Sequence, residues 1–303
     1  MKNQDPTKIC FILGMMPRTG TNWVYDILLQ SDSIGDIGPI WEDNLLNQIE
    51  ALERAAKMIS GTWNPKWRAA DEELSVQQLT DHLQKNLESG LEKFIVQQFR
   101  PGSCTKKKPD WLVLKSPNAF KIVPPLQLLH RNKCIILIRN PHDLISSGMS
   151  SFGWSLLGSC NRYIKASKSI IKLNDTCPQC TVISFEGLNE QFQESVQLLY
   201  AELDLPVPSI QFLNLAVRGQ SSKKASESIS WTSKDMTSEE KIQKHLSRGN
   251  RLSYLQNAVI SELCAPAGEA LGYSFSTQKT PSVVRWGIRV AFRSFCFVRK
   301  LKD

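Results

Sequence analysis

Residues 134–138 read Cys-Ile-Ile-Leu-Ile, an uninterrupted apolar run that stops dead at Arg139. A strand with one face in water alternates polar and apolar residues. A run without alternation belongs to a strand buried on both faces, which is the signature of a parallel sheet covered by helices. Residues 9–13 form a second such run, ending at Gly14. Around these two, shorter apolar stretches at 36–40, 111–114 and 181–185 predict further strands. Helical patterns at 21–30, 43–59, 75–99 and 188–203 fall between them, with Ser75 a candidate N-cap. Asn140 and Pro141 supply an N-cap and a first helical residue directly after the clearest strand. Strands alternating with helices predict one α/β domain built on a central parallel sheet flanked by helices. In such sheets ligands bind at the carboxyl ends of the strands.

Composition narrows the function classes. The chain has 303 residues, with 41% hydrophobic and 22% charged, as expected of a globular protein with room for a core. No uncharged apolar run approaches the roughly 18–20 residues of a membrane-spanning helix. Residues 1–7 are polar and show no secretory leader, so a cytoplasmic chain is expected. The net charge is +8, but residues 281–303 hold six basic residues against Asp303 alone. A charge concentrated in a tail argues less for nucleic-acid binding than for an anionic small ligand plus a basic appendage. Within that tail Val284, Ile288, Phe292, Phe295 and Val298 fall at helical spacing beside Arg285, Arg289 and Arg293. This is a basic amphipathic helix, which either touches an anionic membrane surface or packs on the body or a second subunit. Residues 1–280 are then the main domain. The eight cysteines are expected to be reduced thiols, and the single Cys177-Cys180 pair has no second pair at zinc-site spacing.

Two strand ends carry the chemistry. The first is Gly14-Met15-Met16-Pro17-Arg18-Thr19-Gly20-Thr21-Asn22-Trp23, a glycine-bounded loop between a buried strand and a helix. Such a loop turns backbone N–H groups inward, and the helix N-terminus adds its positive end, so it suits a phosphate or sulfate. It is not a Walker A loop, because Gly20 is followed by Thr21 with no lysine. The second is Arg139-Asn140-Pro141-His142-Asp143, with Ser147 about two turns further along the next helix. A Mg²⁺-dependent kinase would place an acid at that strand end, whereas this chain places Arg139 there. Lys115 sits at the end of the strand read at 111–114.

Residues 17–23 resemble the 5′-phosphosulfate loop of the sulfotransferases that use 3′-phosphoadenosine 5′-phosphosulfate (PAPS). Arg139 to Asp143 with Ser147 resembles their 3′-phosphate motif, Lys115-Ser116-Pro117 their Lys-Ser/Thr motif, and residues 181–188 their later strand and turn. The resemblance covers about residues 9–205, with an echo at Arg248-Gly249 and at Leu271-Gly272-Tyr273. It implies a P-loop-like sulfotransferase fold and transfer of sulfuryl from PAPS to an acceptor hydroxyl or amine without a metal. It implies that Arg18, Thr19, Gly20, Thr21 and Asn22 hold the 5′-phosphosulfate and that Trp23 stacks on adenine. Arg139 and Ser147 would hold the 3′-phosphate, with Arg248 adding to it; 218–222 is a further candidate anion loop.

Lys115 is the candidate for stabilising the transferring group. Many cytosolic members of the family use a His two residues after that Lys; here Pro117 closes the route. Glu42, near the second strand and beside Trp41, is the candidate base, with Asp43 and His142 as competitors. The acceptor pocket falls to residues 45–99, including Trp63 and Trp67, whose aromatic rings fit many acceptors. A P-loop-like kinase, or a nucleotide-binding scaffold without turnover, are the alternatives.

Overall fold

The computed structural model describes residues 8–36, 46–62, 75–97, 109–118, 132–208, 252–275 and 280–300. Its elements run β1 (Lys8–Gly14), α1 (Thr21–Leu28), β2 (Ile34–Asp36), α2 (Leu46–Gly61), α3 (Val76–Gln97), β3 (Trp111–Ser116) and β4 (Lys133–Ile138). There follow α4 (Pro141–Phe152), α5 (Leu156–Thr176), β5 (Cys180–Ser184), α6 (Phe185–Glu190), α7 (Phe192–Ala201), α8 (Tyr254–Glu269) and α9 (Ser282–Lys300).

The five strands form one sheet in the order β2-β3-β1-β4-β5, and every pair is parallel. The two apolar runs lie side by side at its centre: Phe11 pairs with Cys134 and Leu13 with Ile136. β3 flanks β1 on the other side, with Cys10 opposite Val113. Alternate residues feed two cores. Ile9, Phe11, Leu13, Leu112, Ile136 and Ile138 pack with α4, α5 and α8. Cys10, Ile12, Val113, Ile135 and Leu137 pack with α1 and α7 on the opposite face. Double burial explains why these runs carry no polar residues; each buried Leu or Ile contributes roughly 1.5–3 kcal/mol. Two long-range hydrogen bonds fasten the second layer, from Trp111 Nε1 to the Leu203 carbonyl at 2.9 Å and from Tyr200 OH to the Ile27 carbonyl at 2.8 Å.

Several expected boundaries move. The described second strand is Ile34–Asp36, so it begins two residues before the expected 36–40, with buried Ile34 paired to Trp111; residues 37–40 lie outside the described residues. β3 runs through Lys115 to Ser116, since the pairing with β1 continues to Leu13 opposite Ser116. β5 ends at Ser184, not Phe185, because the Ser184 hydroxyl accepts the Gly187 N–H at 3.0 Å and starts a helix. The helix expected over 188–203 is two helices that meet at Gln191, which adopts a non-helical backbone. The Ser75 cap holds: its hydroxyl accepts the Gln78 N–H at 3.2 Å and its own N–H donates to Gln78 Oε1 at 2.7 Å. Cys177 caps α5 and accepts the Cys180 N–H at 3.0 Å, so the Cys-x-x-Cys pair bounds the turn into β5.

Candidate active site

The loop after β1 continues the ladder for one bond, from the Met15 N–H to the Leu137 carbonyl at 3.0 Å, and then turns sharply. Thr19 is buried and closes the turn. Its hydroxyl donates to the Met16 carbonyl at 2.5 Å and accepts the Met16 N–H at 3.2 Å. The Thr19 side chain therefore shapes the loop. Two residues take left-handed backbone conformations, Arg18 at φ 78° and Gly20 at φ 109°. Gly20 suits that region; moreover, a Cβ there would fall 2.5 Å from the Phe185 ring. For Arg18 the same region is strained, and such strain clusters at ligand sites. Gly20 is also the N-cap of α1 and provides no side-chain cap. The first-turn N–H groups of α1 thus begin without the side-chain acceptor that usually satisfies them.

The turn after β4 is built differently. The Asn140 side chain accepts the His142 N–H at 2.9 Å, and Pro141 takes the first helical position. The Asn140 N–H donates to Glu186 Oε1 at 3.0 Å, and Glu186 Oε2 accepts from Tyr273 OH at 2.8 Å. Burial and the Glu186 carboxylate both push the Tyr273 phenol's pKa up, so it stays a donor.

The two turns meet. Arg139 Nη1 donates to the Arg18 carbonyl at 2.7 Å, and Arg18 Nε donates to Ser147 Oγ at 3.2 Å. The Arg139 guanidinium also lies 4.2 Å from the centre of the Phe185 ring, a cation–π contact. On the other side of β1, Lys115 Nζ donates to Asn22 Oδ1 and lies 5.5 Å from the Tyr25 ring centre. Arg18 and Arg139 thus join the β1 loop to the β4 turn, and Lys115 reaches the start of α1 from the end of β3.

Trp23 lies next to this cluster. It stacks on Phe192 at 5.7 Å with an interplanar angle of 12° and meets Phe185 edge-on at 5.8 Å. Its buried indole N–H has no partner among the described residues. His142 points the other way, towards α8: Nε2 is 3.1 Å from Ser261 Oγ and the ring is 5.9 Å from Phe275. It is half-buried rather than solvated, and burial lowers its pKa from the ordinary 6.5. Glu42, Asp43, Trp63, Trp67, Arg248 and the 218–222 loop lie outside the described residues.

Phe185, Glu186 and Tyr273 were not assigned roles from the sequence, yet Phe185 touches Gly20, Trp23 and Arg139 and Glu186 anchors Asn140. The available signal was positional: an aromatic and an acid directly after a sheet strand stand at the ligand edge.

Fold and site together define an α/β protein with a parallel sheet and basic side chains at its strand ends. The model of the sulfotransferase family matches residues 10–209, about two thirds of the chain, and the chain belongs to that family. Among solved structures, the sulfotransferase domain of the Synechococcus PCC 7002 olefin synthase is similar. It has a TM-score of 0.52 and 15% identity, with 91% of this chain and 98% of that one covered. The sulfotransferase domain from the curacin biosynthetic pathway has a TM-score of 0.51 and 18% identity, over 90% of this chain and 100% of that one. Both show a shared fold. No curated protein matches the chain.

Proposed function

We propose that this protein transfers a sulfuryl group from PAPS to an acceptor hydroxyl or amine. The observation that carries the reading is the joining of the β1 loop to the β4 turn through Arg139, Arg18 and Ser147. One nucleotide with phosphates at both ends of its ribose needs two such donor groups side by side. The donor set suits it: three cations, an uncapped helix N-terminus and amide and hydroxyl side chains, a combination made for sulfate and phosphate oxygens.

When bound, PAPS supplies the sulfuryl group, and 3′,5′-ADP departs. The chain's own residues do the rest. The N–H groups at the start of α1, with Arg18, Thr21 and Asn22, hold the 5′ end, while Gly20 lets the backbone approach and Thr19 keeps the loop closed. Arg139 and Ser147 hold the 3′-phosphate, with Arg248 assisting, and Trp23 lies against the adenine. Lys115, from β3, stabilises the transferring sulfuryl group, with Arg18 beside the bridging oxygen, as the bond from sulfur to phosphate oxygen breaks and the bond from sulfur to the acceptor oxygen or nitrogen forms. The acceptor's proton passes to a base, for which Glu42 is the candidate, ahead of Asp43 and His142. The same reading has residues 1–280 as the catalytic unit, residues 281–303 as an appended helix, and the cytoplasm as the location. It needs no metal, since Arg139 stands where a Mg²⁺-dependent kinase has an acid.

The test is release of 3′,5′-ADP from PAPS across a panel of phenols, sugars, lipids and amines. Turnover with any acceptor supports the reading. ATP consumption with Mg²⁺ replaces it with a kinase, and PAPS binding without turnover replaces it with a scaffold.

A further inference from the structure

Helix α9 has two apolar faces. One packs on the body: Ile288 is buried, and Phe292 lies against the core that α5 and α8 share. The other faces solvent. Val283, Trp286, Val290 and Phe297 are separated by three, four and seven residues, so they form one stripe along the helix. They are 79%, 67%, 41% and 64% exposed. Beside the stripe run Arg285, Arg289 and Arg293, all exposed and four residues apart. Arg289 Nε is tied back to Glu262 of α8 at 2.5 Å, which helps fix the helix orientation. The helix carries four Arg and one Lys in its 19 residues and no acid. No described helix is long and apolar enough to cross a membrane.

An exposed apolar stripe that includes a tryptophan and is edged by cations is suited to the boundary between headgroups and acyl chains. A second copy of the chain fits less well. Two α9 helices laid stripe to stripe would bring basic rows together with no acid on either helix to offset them. We propose that α9 docks the protein on an anionic lipid surface, with Val283, Trp286, Val290 and Phe297 entering the interface and the arginine row on lipid phosphates and carboxylates. The reading is independent of the reaction catalysed.

The full chain is floated with vesicles of phosphatidylcholine alone and of phosphatidylcholine mixed with phosphatidylserine. The wild type is expected to float with the mixed vesicles and much less with the neutral ones. Trp286→Ser with Phe297→Ser, and separately Arg285→Glu with Arg293→Glu, are each expected to weaken flotation on the order of tenfold. All four positions are exposed, so both variants should keep the wild-type melting temperature and 3′,5′-ADP affinity, which shows that folding is intact. No flotation of the wild type, equal flotation on both vesicles, or unchanged flotation of either variant would overturn the proposal. Self-association without vesicle binding, lost in Trp286→Ser, would assign the stripe to a second copy instead.

Discussion

The loop after β1 and the turn after β4 occupy equivalent places at the ends of neighbouring strands, yet they solve the same hydrogen-bonding problem in opposite ways. The β4 turn is satisfied from within the protein: Asn140 caps α4, and Glu186 and Tyr273 hold Asn140. The β1 loop leaves α1 without a side-chain cap and takes left-handed backbone at Arg18 and Gly20. A self-satisfied turn is a rigid mount, here for Arg139. A strained turn that leads into a helix without a side-chain cap is the geometry that suits an anion, which is the role proposed for it. Substitutions in the loop should therefore strike ligand binding first, and substitutions behind the turn should strike stability first.

Gly20→Ala is expected to have the largest effect. It adds a methyl group 2.5 Å from the Phe185 ring and forces an L-residue to φ 109°. The backbone term alone costs about 1–3 kcal/mol, and Phe185 must move from Arg139 and Trp23. Binding of 3′,5′-ADP should fall below detection by calorimetry; near-normal binding would remove the loop from the site. Arg139→Ala comes next. Loss of a cation paired with a phosphate costs about 2–5 kcal/mol, so affinity for 3′,5′-ADP should drop roughly a hundredfold while adenosine 5′-monophosphate, lacking the 3′-phosphate, changes little. Equal weakening of the two would place Arg139 elsewhere on the ligand.

A smaller effect is expected behind the turn. Tyr273→Phe deletes one charge-assisted hydrogen bond to Glu186, and Asn140→Ala deletes the helix cap, each costing roughly 1–2 kcal/mol. Both should lower the melting temperature by several degrees and leave nucleotide affinity within a few-fold of wild type. If either instead erased binding while the melting temperature stayed put, the β4 turn would itself be a ligand contact and the contrast between the two turns would fail.

The parts of this arrangement that could be read in the sequence are the local ones. Residues 9–13 and 134–138 announce buried strands because double burial excludes polar residues over the whole run, and Asn140-Pro141 announces a helix start because capping depends on adjacent residues. The parallel sheet followed from these runs and their alternation with helices, and the sulfotransferase family from the segments after them, residues 17–23 and 139–147. What escaped was decided by distant partners. β2 has three described residues, and its pairing with β3, from Ile34 opposite Trp111 to Asp36 opposite Val113, defines where it lies. Glu186 and Tyr273 are 87 residues apart, so nothing in either neighbourhood marks them as a pair. The Thr19 hydroxyl reads in sequence as a ligand donor, but the tight turn spends it on Met16, a choice only the three-dimensional path reveals.

His142 gives the smallest and most diagnostic effect. Burial lowers its pKa below 6.5, so the folded protein takes up the proton at lower pH than the unfolded chain does. Its contribution is fully present above pH 6.5, declines as the pH falls through that value, and is exhausted once the pH passes below the depressed folded value. In His142→Gln, the denaturation midpoint should fall less steeply with acidification below pH 6.5 than in the wild type. The two dependences should run parallel above it. Because the ring faces Ser261 and Phe275 on the side of α8 rather than the Arg18 loop, the variant should also retain sulfuryl transfer within a few-fold. Should transfer instead collapse in His142→Gln while the acid limb stays unchanged, His142 would be the base in place of Glu42, and the β4 turn would carry chemistry as well as Arg139.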